Sequence, residues 1–173
     1  MRHSYTITVI LTIILSLLSC KSTLEYAETD REDSPSFALK RKVASMLRHD
    51  SIPEAMALAE EGLQKYPDDL QLMLVEGLLL HHEGKKEEAK KVLKRAFVQP
   101  SDKDKMAKKS SLTDDLCKVL CIIIYDEKSF LLTSVRDQIL QKYDNSKNEA
   151  MPIVANIMRH ISLKDIEKSL FFT

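Results

Sequence analysis

The chain of 173 residues lacks several residue types and motifs that mark common protein classes. It has no tryptophan and only three glycines, and no glycine-rich phosphate loop occurs, which argues against the nucleotide-binding folds that use one. Its 26 Lys and Arg are balanced by 26 Asp and Glu, so the net charge indicates no class of partner. Leu, Ala, Lys and Glu dominate instead, and this composition favours a single all-α domain over sheets.

Motifs for metal binding and for catalysis are also missing. The chain has no HExxH or CxxC spacing and no recognisable Ser/His/Asp set. His81 and His82 are neighbours on a predicted helix, where adjacent side chains point about 100° apart and do not converge on one ion. We therefore predict no metal, no cofactor and no enzymatic activity.

Two of the three cysteines lie four residues apart on a predicted helix. At that spacing the Cβ atoms of Cys117 and Cys121 are about one turn apart, which exceeds the separation of about 3.8 Å that a disulfide prefers. We predict that both are small buried apolar side chains rather than a disulfide.

The first twenty residues differ from the rest of the chain. A short positive start precedes an apolar run over residues 7–18. This run is shorter than the about 20 residues of a permanent spanning helix and is typical of an export signal. It ends in Leu17-Leu18-Ser19-Cys20, which resembles the bacterial lipobox. The resemblance implies a signal peptide over residues 1–19, cleavage before Cys20, and lipidation of Cys20 with palmitate-like chains. An uncleaved anchor is the alternative.

Residues 20–34 are predicted to be the lipidated cysteine followed by an acidic tether. Low hydrophobicity with charge favours a flexible linker, and five acids outnumber two bases there: Glu25, Glu28, Asp30, Glu32 and Asp33. Lys21 directly after the cysteine is compatible with delivery to the outer membrane. The predicted location is the bacterial cell envelope, with lipid anchoring to a membrane and the outer membrane favoured.

Residues 35–101 contain a repeat with a period of 34 residues, typical of a helix–turn–helix solenoid unit. At this offset Ala55 aligns with Ala89, Ala59 with Leu93, Gly62 with Ala96, and Leu63 with Phe97. The segment resembles the tetratricopeptide repeat family, best in the second copy: Gly77, Gly84, Ala89, Leu93, Ala96 and Phe97. The first copy has Val43 and Asp50 where the second has Gly77 and Gly84, and Leu80 replaces an aromatic residue usual in the family. The resemblance implies a solenoid of antiparallel helix hairpins with about two repeats.

The small residues of the repeat have a physical explanation. Short side chains such as Ala55, Ala89 and Gly77 allow helices to pack about 8–10 Å apart. Gly84 follows an apolar run and is suited to the left-handed conformation that ends a helix. Ser51 and Glu54 have the spacing of a capping box, and Ser34-Pro35 has the pattern of a helix start.

Residues 102–173 lose the 34-residue register but still show helical periodicity. We predict one central helix through residues 112–124, a second beginning near Ser129, a third over residues 148–161, and a short last helix beginning at Ser162. This segment is either a cap on the open end of the repeat stack or a degenerate third repeat.

Lysine and arginine are concentrated between Lys85 and Lys109, where ten bases face four acids. One interpretation is a solvated helix face with pairs such as Glu87 with Lys91. The other is a basic face that contacts anionic lipid or an acidic partner. Nucleic acid is a poor partner for an exported lipoprotein.

In the tetratricopeptide family, the first helices of each pair line a groove that takes peptide segments. The resemblance carries this partner-binding role to Phe37, Lys40, Arg41, Arg48, Gln71, Leu74, Leu78 and His82. Alternatively, the leucines pack against the C-terminal helices. The predicted function is a membrane-anchored envelope lipoprotein that acts as an interaction scaffold or assembly adaptor for another envelope protein. The alternative is a ligand-binding accessory subunit of an envelope transporter, with a pocket within the helical domain.

Overall fold

The computed structural model describes residues 36–97, 112–144 and 158–170. Within these ranges the ordered elements are α1 (Phe37–Arg48), α2 (Ile52–Lys65), α3 (Leu70–His82), α4 (Lys86–Phe97), α5 (Leu112–Asp126), α6 (Phe130–Asp144) and α7 (Leu163–Leu170). Residues 158–160 add the end of a further helix. The described residues contain no strand, and this confirms the predicted all-α class.

None of the helices in the described ranges combines the length and the apolar character needed to cross a membrane. The predicted signal segment and Cys20 lie outside those ranges, as do the acidic tether and most of the predicted helix over residues 148–161.

The helices pack in a chain of neighbours with α3 at its centre. Helix α1 packs on α2, α2 on α3, and α3 on α4; α5 then packs against both α3 and α4, and α6 packs on α5. Because α3 has neighbours on several sides, nine of its 13 residues are buried, whereas α1 buries only Val43 and Ala44.

The first helix of each pair ends in the same kind of turn. Asp50 after α1 and Gly84 after α3 both have a positive φ, of 57° and 78°. The N–H groups of the next residues, Ser51 and Lys85, donate to the carbonyl five residues earlier, at 3.0 and 2.9 Å. This is the Schellman pattern of helix termination. The left-handed conformation predicted for Gly84 is confirmed, and Asp50 adopts it 34 residues earlier.

The close approach predicted at Gly77 is present, and Gly62 makes a similar one that was not predicted. Gly77 of α3 faces Leu93 of α4 so closely that a Cβ atom on Gly77 would overlap the Leu93 side chain. A Cβ atom on Gly62 of α2 would lie 2.8 Å from both Leu39 of α1 and Leu72 of α3. These glycines therefore set the spacing between helices.

The helix starts agree with the sequence in two of three testable cases. Ser129 Oγ accepts the Leu131 N–H at 3.2 Å, and Ser162 exchanges hydrogen bonds with Asp165, so both predicted starts are confirmed. The capping box predicted for Ser51 with Glu54 is wrong, because Ser51 caps α2 without any side-chain hydrogen bond. Ser51 has φ −86° and ψ 63°, which is not the extended conformation from which an N-cap side chain reaches the first-turn N–H groups, and Pro53 at the second position offers no N–H.

At the start of α1, Ser36 is the N-cap and Phe37 the first helical residue. Ser34 and Pro35, which were predicted for this role, lie outside the described residues.

Helix α5 is buried along nearly its whole length, as predicted for the central helix. Its Cys117 and Cys121 are fully buried, and no disulfide joins them. Burial raises the pKa of the Cys121 thiol well above its ordinary value. The prediction that these cysteines serve as small apolar side chains is confirmed.

Candidate functional site

The predicted groove residues fall into two groups in the structure. Gln71, Leu74 and Leu78 on α3 are buried, with exposed fractions of 7, 3 and 4%. The other five keep exposed surface: Phe37 and Lys40 are partly exposed, and Arg41, Arg48 and His82 are exposed. The structure therefore leaves only part of the predicted set accessible to a partner.

The burial of the two leucines follows from the position of α5. This helix packs against α3, and Leu74 and Leu78 belong to the same hydrophobic core as the α5 side chains. Their packing within the domain was the alternative that the sequence left open.

Lys40 is engaged by an acidic residue of its own chain. Its Nζ lies 3.0 Å from Asp69 Oδ2, and both side chains are only 12% exposed. Asp69 also accepts the Ser36 hydroxyl at 2.6 Å, while its Oδ1 accepts the N–H groups of Gln71 and Leu72, each at 3.1 Å. Asp69 thus caps α3 and ties the start of α1 to it, so Lys40 is a structural residue in this arrangement.

Of the predicted groove residues on α1, three that are accessible and not engaged by Asp69 lie along one stripe, which we call the α1 surface: Phe37, Arg41 and Arg48. Steps of four and seven residues return to nearly the same side of a helix. The Arg41 guanidinium carbon lies 5.9 Å from the centre of the Phe37 ring, near the about 6 Å limit of a cation–π contact. The α1 surface presents two positive groups beside an aromatic ring, which is chemistry suited to an acidic segment.

A second charged surface lies on α4. Its basic face consists of five exposed residues: Lys86, Lys90, Lys91, Lys94 and Arg95. The Arg95 guanidinium donates to the Pro67 carbonyl at 2.6 Å, which fastens α4 to the turn between α2 and α3. The basic residues from 103 to 109 lie outside the described ranges.

The ion pairing on α4 differs from the predicted pair. Glu87 lies 3.2 Å from Lys90, one helical turn away at three residues, and not against Lys91 as predicted. Among the described residues no acidic group lies within ion-pairing distance of Lys91 or Lys94. The solvated-face interpretation therefore accounts for Lys90 but leaves neighbouring lysines uncompensated.

The structure shows two further features that sequence reasoning missed. Glu76 is the single acid in the apolar helix α3, and its pKa is raised, first by burial and then by the nearby charge of Glu60, with Arg95 acting in the opposite direction. Phe130 and Leu131, at the start of α6, are the large apolar side chains exposed in the described ranges, by 85 and 38%. The apolar stripe of α6 begins at Leu132, so the periodicity gave no reason to examine Phe130.

Metal-binding geometry does not arise within the described ranges, where no three His, Cys, Asp or Glu side chains gather in a way that could hold an ion. Comparisons with protein-family models, with curated proteins and with solved structures find no match to this chain.

Proposed function

We propose that this chain is a membrane-anchored envelope lipoprotein that acts as a protein-interaction scaffold or assembly adaptor through tetratricopeptide-like helix pairs. The observation that carries the proposal is the spacing of two identical helix endings. Asp50 and Gly84, both left-handed, terminate α1 and α3 at a distance of 34 residues. That distance is the period of the tetratricopeptide repeat.

The packing of the four repeat helices supports the same proposal. Consecutive helices are neighbours, and the small residues predicted at their contacts, such as Ala55 and Ala89, are buried. A polar outer side on α1 suits the end of a stack, since a terminal repeat must face water. The lipobox-like Leu17-Leu18-Ser19-Cys20 supports attachment to a membrane through Cys20.

The mechanism is recognition combined with a raised local concentration. A lipid on Cys20 and a tether that ends at Ser34 confine the helical domain to a shell beside the membrane. Binding of a second envelope protein on the α1 surface then becomes a local event, and its avidity benefits from the shared membrane. No catalytic step is part of the proposal.

The α1 surface can be tested with Arg41→Glu/Arg48→Glu in cells of the native host, followed by crosslinking and affinity purification. We expect wild type to capture a specific envelope protein and the variant to lose it, because two attractive charges become repulsive. Lys40 is left unchanged, since its replacement would disturb Asp69. Lys128→Glu/Lys164→Glu, at exposed positions outside the α1 surface, makes the same change in net charge and should retain the partner.

Cys20→Ala separates the anchor from the binding surface. We expect the variant to leave the membrane fraction and to lose the lipid mass detected on the mature protein. A partner captured equally well by all variants would contradict the role of the α1 surface. A wild-type chain without lipid would contradict the anchor.

A further inference from the structure

We propose that the basic face of α4 rests on a membrane surface that contains anionic lipid. This goes beyond the scaffold function, which places partner recognition on α1. It relies on the proposed membrane anchorage only for keeping the domain close to a bilayer.

The charge on α4 is local and exposed. The five bases of the basic face stand against Glu87 and Glu88 in the same helix, which leaves a surplus of three positive charges. Glu87 is paired with Lys90, while no described acid compensates Lys91 or Lys94. Such a surplus on one face attracts an anionic surface over about one Debye length.

The composition of this face favours lipid head groups over an acidic protein segment. Protein interfaces are depleted in lysine at their centres and rely on aromatic or arginine anchors. The large apolar side chains exposed in the described ranges are Phe130 and Leu131, both on α6, so the basic face has no apolar anchor. Phe97 of α4 is turned inward, edge-on to Tyr125 with 5.1 Å between the ring centres.

Lysine also suits a diffuse negative surface better than a shaped site. Its ammonium is a hydrated point charge on a flexible stem, whereas arginine presents a planar fork for paired carboxylate oxygens. Four of the five bases on the face are lysines, and the one arginine already donates to Pro67. Lys90, Lys91 and Lys94 span about 100° of the helix circumference, so they can contact one plane together.

The length of the predicted tether allows the basic face to contact the bilayer. Residues 20–34 are 15 residues, which reach at most about 50 Å when fully extended. A domain held this close samples the bilayer surface repeatedly, and weak attraction by a few lysines is then enough to orient it.

The test measures flotation of the full chain with vesicles of phosphatidylcholine alone and with vesicles that also contain phosphatidylglycerol. Binding to phosphatidylcholine reports the N-terminal anchor, and the ratio between the two vesicle types reports the basic face. We expect wild type to prefer the anionic vesicles, with a preference that falls as salt is raised. Lys90→Gln/Lys91→Gln/Lys94→Gln should lower the ratio by about fivefold for each lysine in contact.

Two variants, each with three Lys→Glu changes, distinguish the effect of where the charges lie from the effect of net charge. Lys90→Glu/Lys91→Glu/Lys94→Glu should abolish the preference, whereas Lys42→Glu/Lys128→Glu/Lys164→Glu, at exposed sites on other elements, should keep most of it. All six positions are exposed, and unchanged thermal unfolding of each variant would show that the fold is intact.

An equal fall in both reversals would overturn the proposal, because only net charge would then matter. A wild-type ratio near one would also overturn it, and loss of a crosslinked protein from the α4 reversal in cells would then identify an acidic protein as the occupant. A chain that ignores phosphatidylcholine yet prefers anionic vesicles would refute the anchor while supporting the basic face.

Discussion

The helix pairs α1–α2 and α3–α4 share one register but fill it with different side chains. Val43 and Ala59 in the first pair occupy the positions of Gly77 and Leu93 in the second, and all four are buried. The two combinations contain the same number of side-chain carbon atoms, with the large residue moved from the first helix to the second. The comparison teaches that equivalent buried positions of the two pairs hold the same number of side-chain carbon atoms, while each pair distributes them differently between its helices.

A second difference lies in what packs against the first helices. Lys40 and Arg41 on α1 correspond in register to Leu74 and Val75 on α3. The α3 residues are buried in the core shared with α5, whereas α1 has no such neighbour among its main contacts. Residue type at these positions therefore follows what covers the helix and not its place in the repeat.

Placing the α1 residue at the equivalent position of α3 should give the largest change in the free energy of unfolding. Leu74→Lys places a charge at a position that is 3% exposed, and we expect a loss of at least about 4 kcal/mol of stability. The reverse change, Lys40→Leu, leaves the largely buried Asp69 carboxylate without its counter-charge and should cost about 2 kcal/mol. Urea unfolding followed by far-UV circular dichroism measures both, and equal costs would remove the distinction between a covered and an uncovered helix.

Converting the second pair to the filling of the first should show strong coupling. Gly77→Val overlaps Leu93 and should cost about 3 kcal/mol, while Leu93→Ala leaves a cavity and should cost about 3 kcal/mol. The double variant recreates the Val43–Ala59 combination, so we expect it to recover about 2 kcal/mol relative to the sum. A double-mutant cycle from urea unfolding measures this coupling. Additive costs would show that the exchange of size between helices is incidental.

The two helix endings should respond in opposite directions to matched substitutions. A Cβ atom on Gly84 would meet nothing within 4 Å, so Gly84→Ala isolates the cost of its positive φ and should lose about 1 kcal/mol. Asp50→Gly relieves a side chain held at the same conformation and should gain about 0.5 kcal/mol. Thermal unfolding detects both shifts. If Asp50→Gly instead destabilised the chain, the Asp50 side chain would have to make a stabilising interaction that outweighs the cost of its positive φ.

Glu76 offers the smallest effect, and one that depends on pH. Its register partner on α1 is the exposed Lys42, whereas Glu76 is half-buried and has a pKa raised by burial. Because the folded pKa lies above the unfolded one, the ionised carboxylate opposes folding at neutral pH. That opposition disappears as pH falls through the raised folded pKa and below the ordinary value of 4.5.

We therefore expect Glu76→Gln to exceed wild type in stability at neutral pH and to match it in acid. Lys42→Gln, the matched change on α1, should show no such dependence. Urea midpoints of both variants and wild type, measured from neutral pH to below pH 4.5, test this expectation. A stability advantage of Glu76→Gln that persists in acid would exclude ionisation of Glu76 as its cause.

The parts of the fold that could be predicted are those controlled by local sequence. Gly84 ends α3 because its neighbours along the chain form the turn, and Ser162 begins α7 through a residue three positions away. The close approach at Gly77 could also be predicted from the sequence, since the 34-residue period assigns Gly77 to the first helix of a pair whose second helix packs against it. In each case, the relevant partners lie nearby in sequence or one repeat apart.

The parts that were missed or left open depend on contacts without a sequence period. Asp69 accepts hydrogen bonds from Ser36 and Lys40, which lie 33 and 29 residues away in the chain, and no sequence motif predicts these contacts. Burial of Leu74 and Leu78 depends on α5, which lies after the register is lost. The candidate surface is smaller than the predicted groove for the same reason. It consists of the groove residues that helices distant in sequence do not cover.

The two thiols of α5 have a practical consequence. Cys117 and Cys121 are fully buried, and burial disfavours the thiolate of Cys121, which is the form of the side chain that attacks electrophiles. Alkylation of these sulfurs requires α5 to separate from α3 and α4, so the rate of modification by a maleimide follows the opening of the core. The rate at which these two thiols are modified, followed by mass spectrometry of the intact protein, therefore reports how often the core opens.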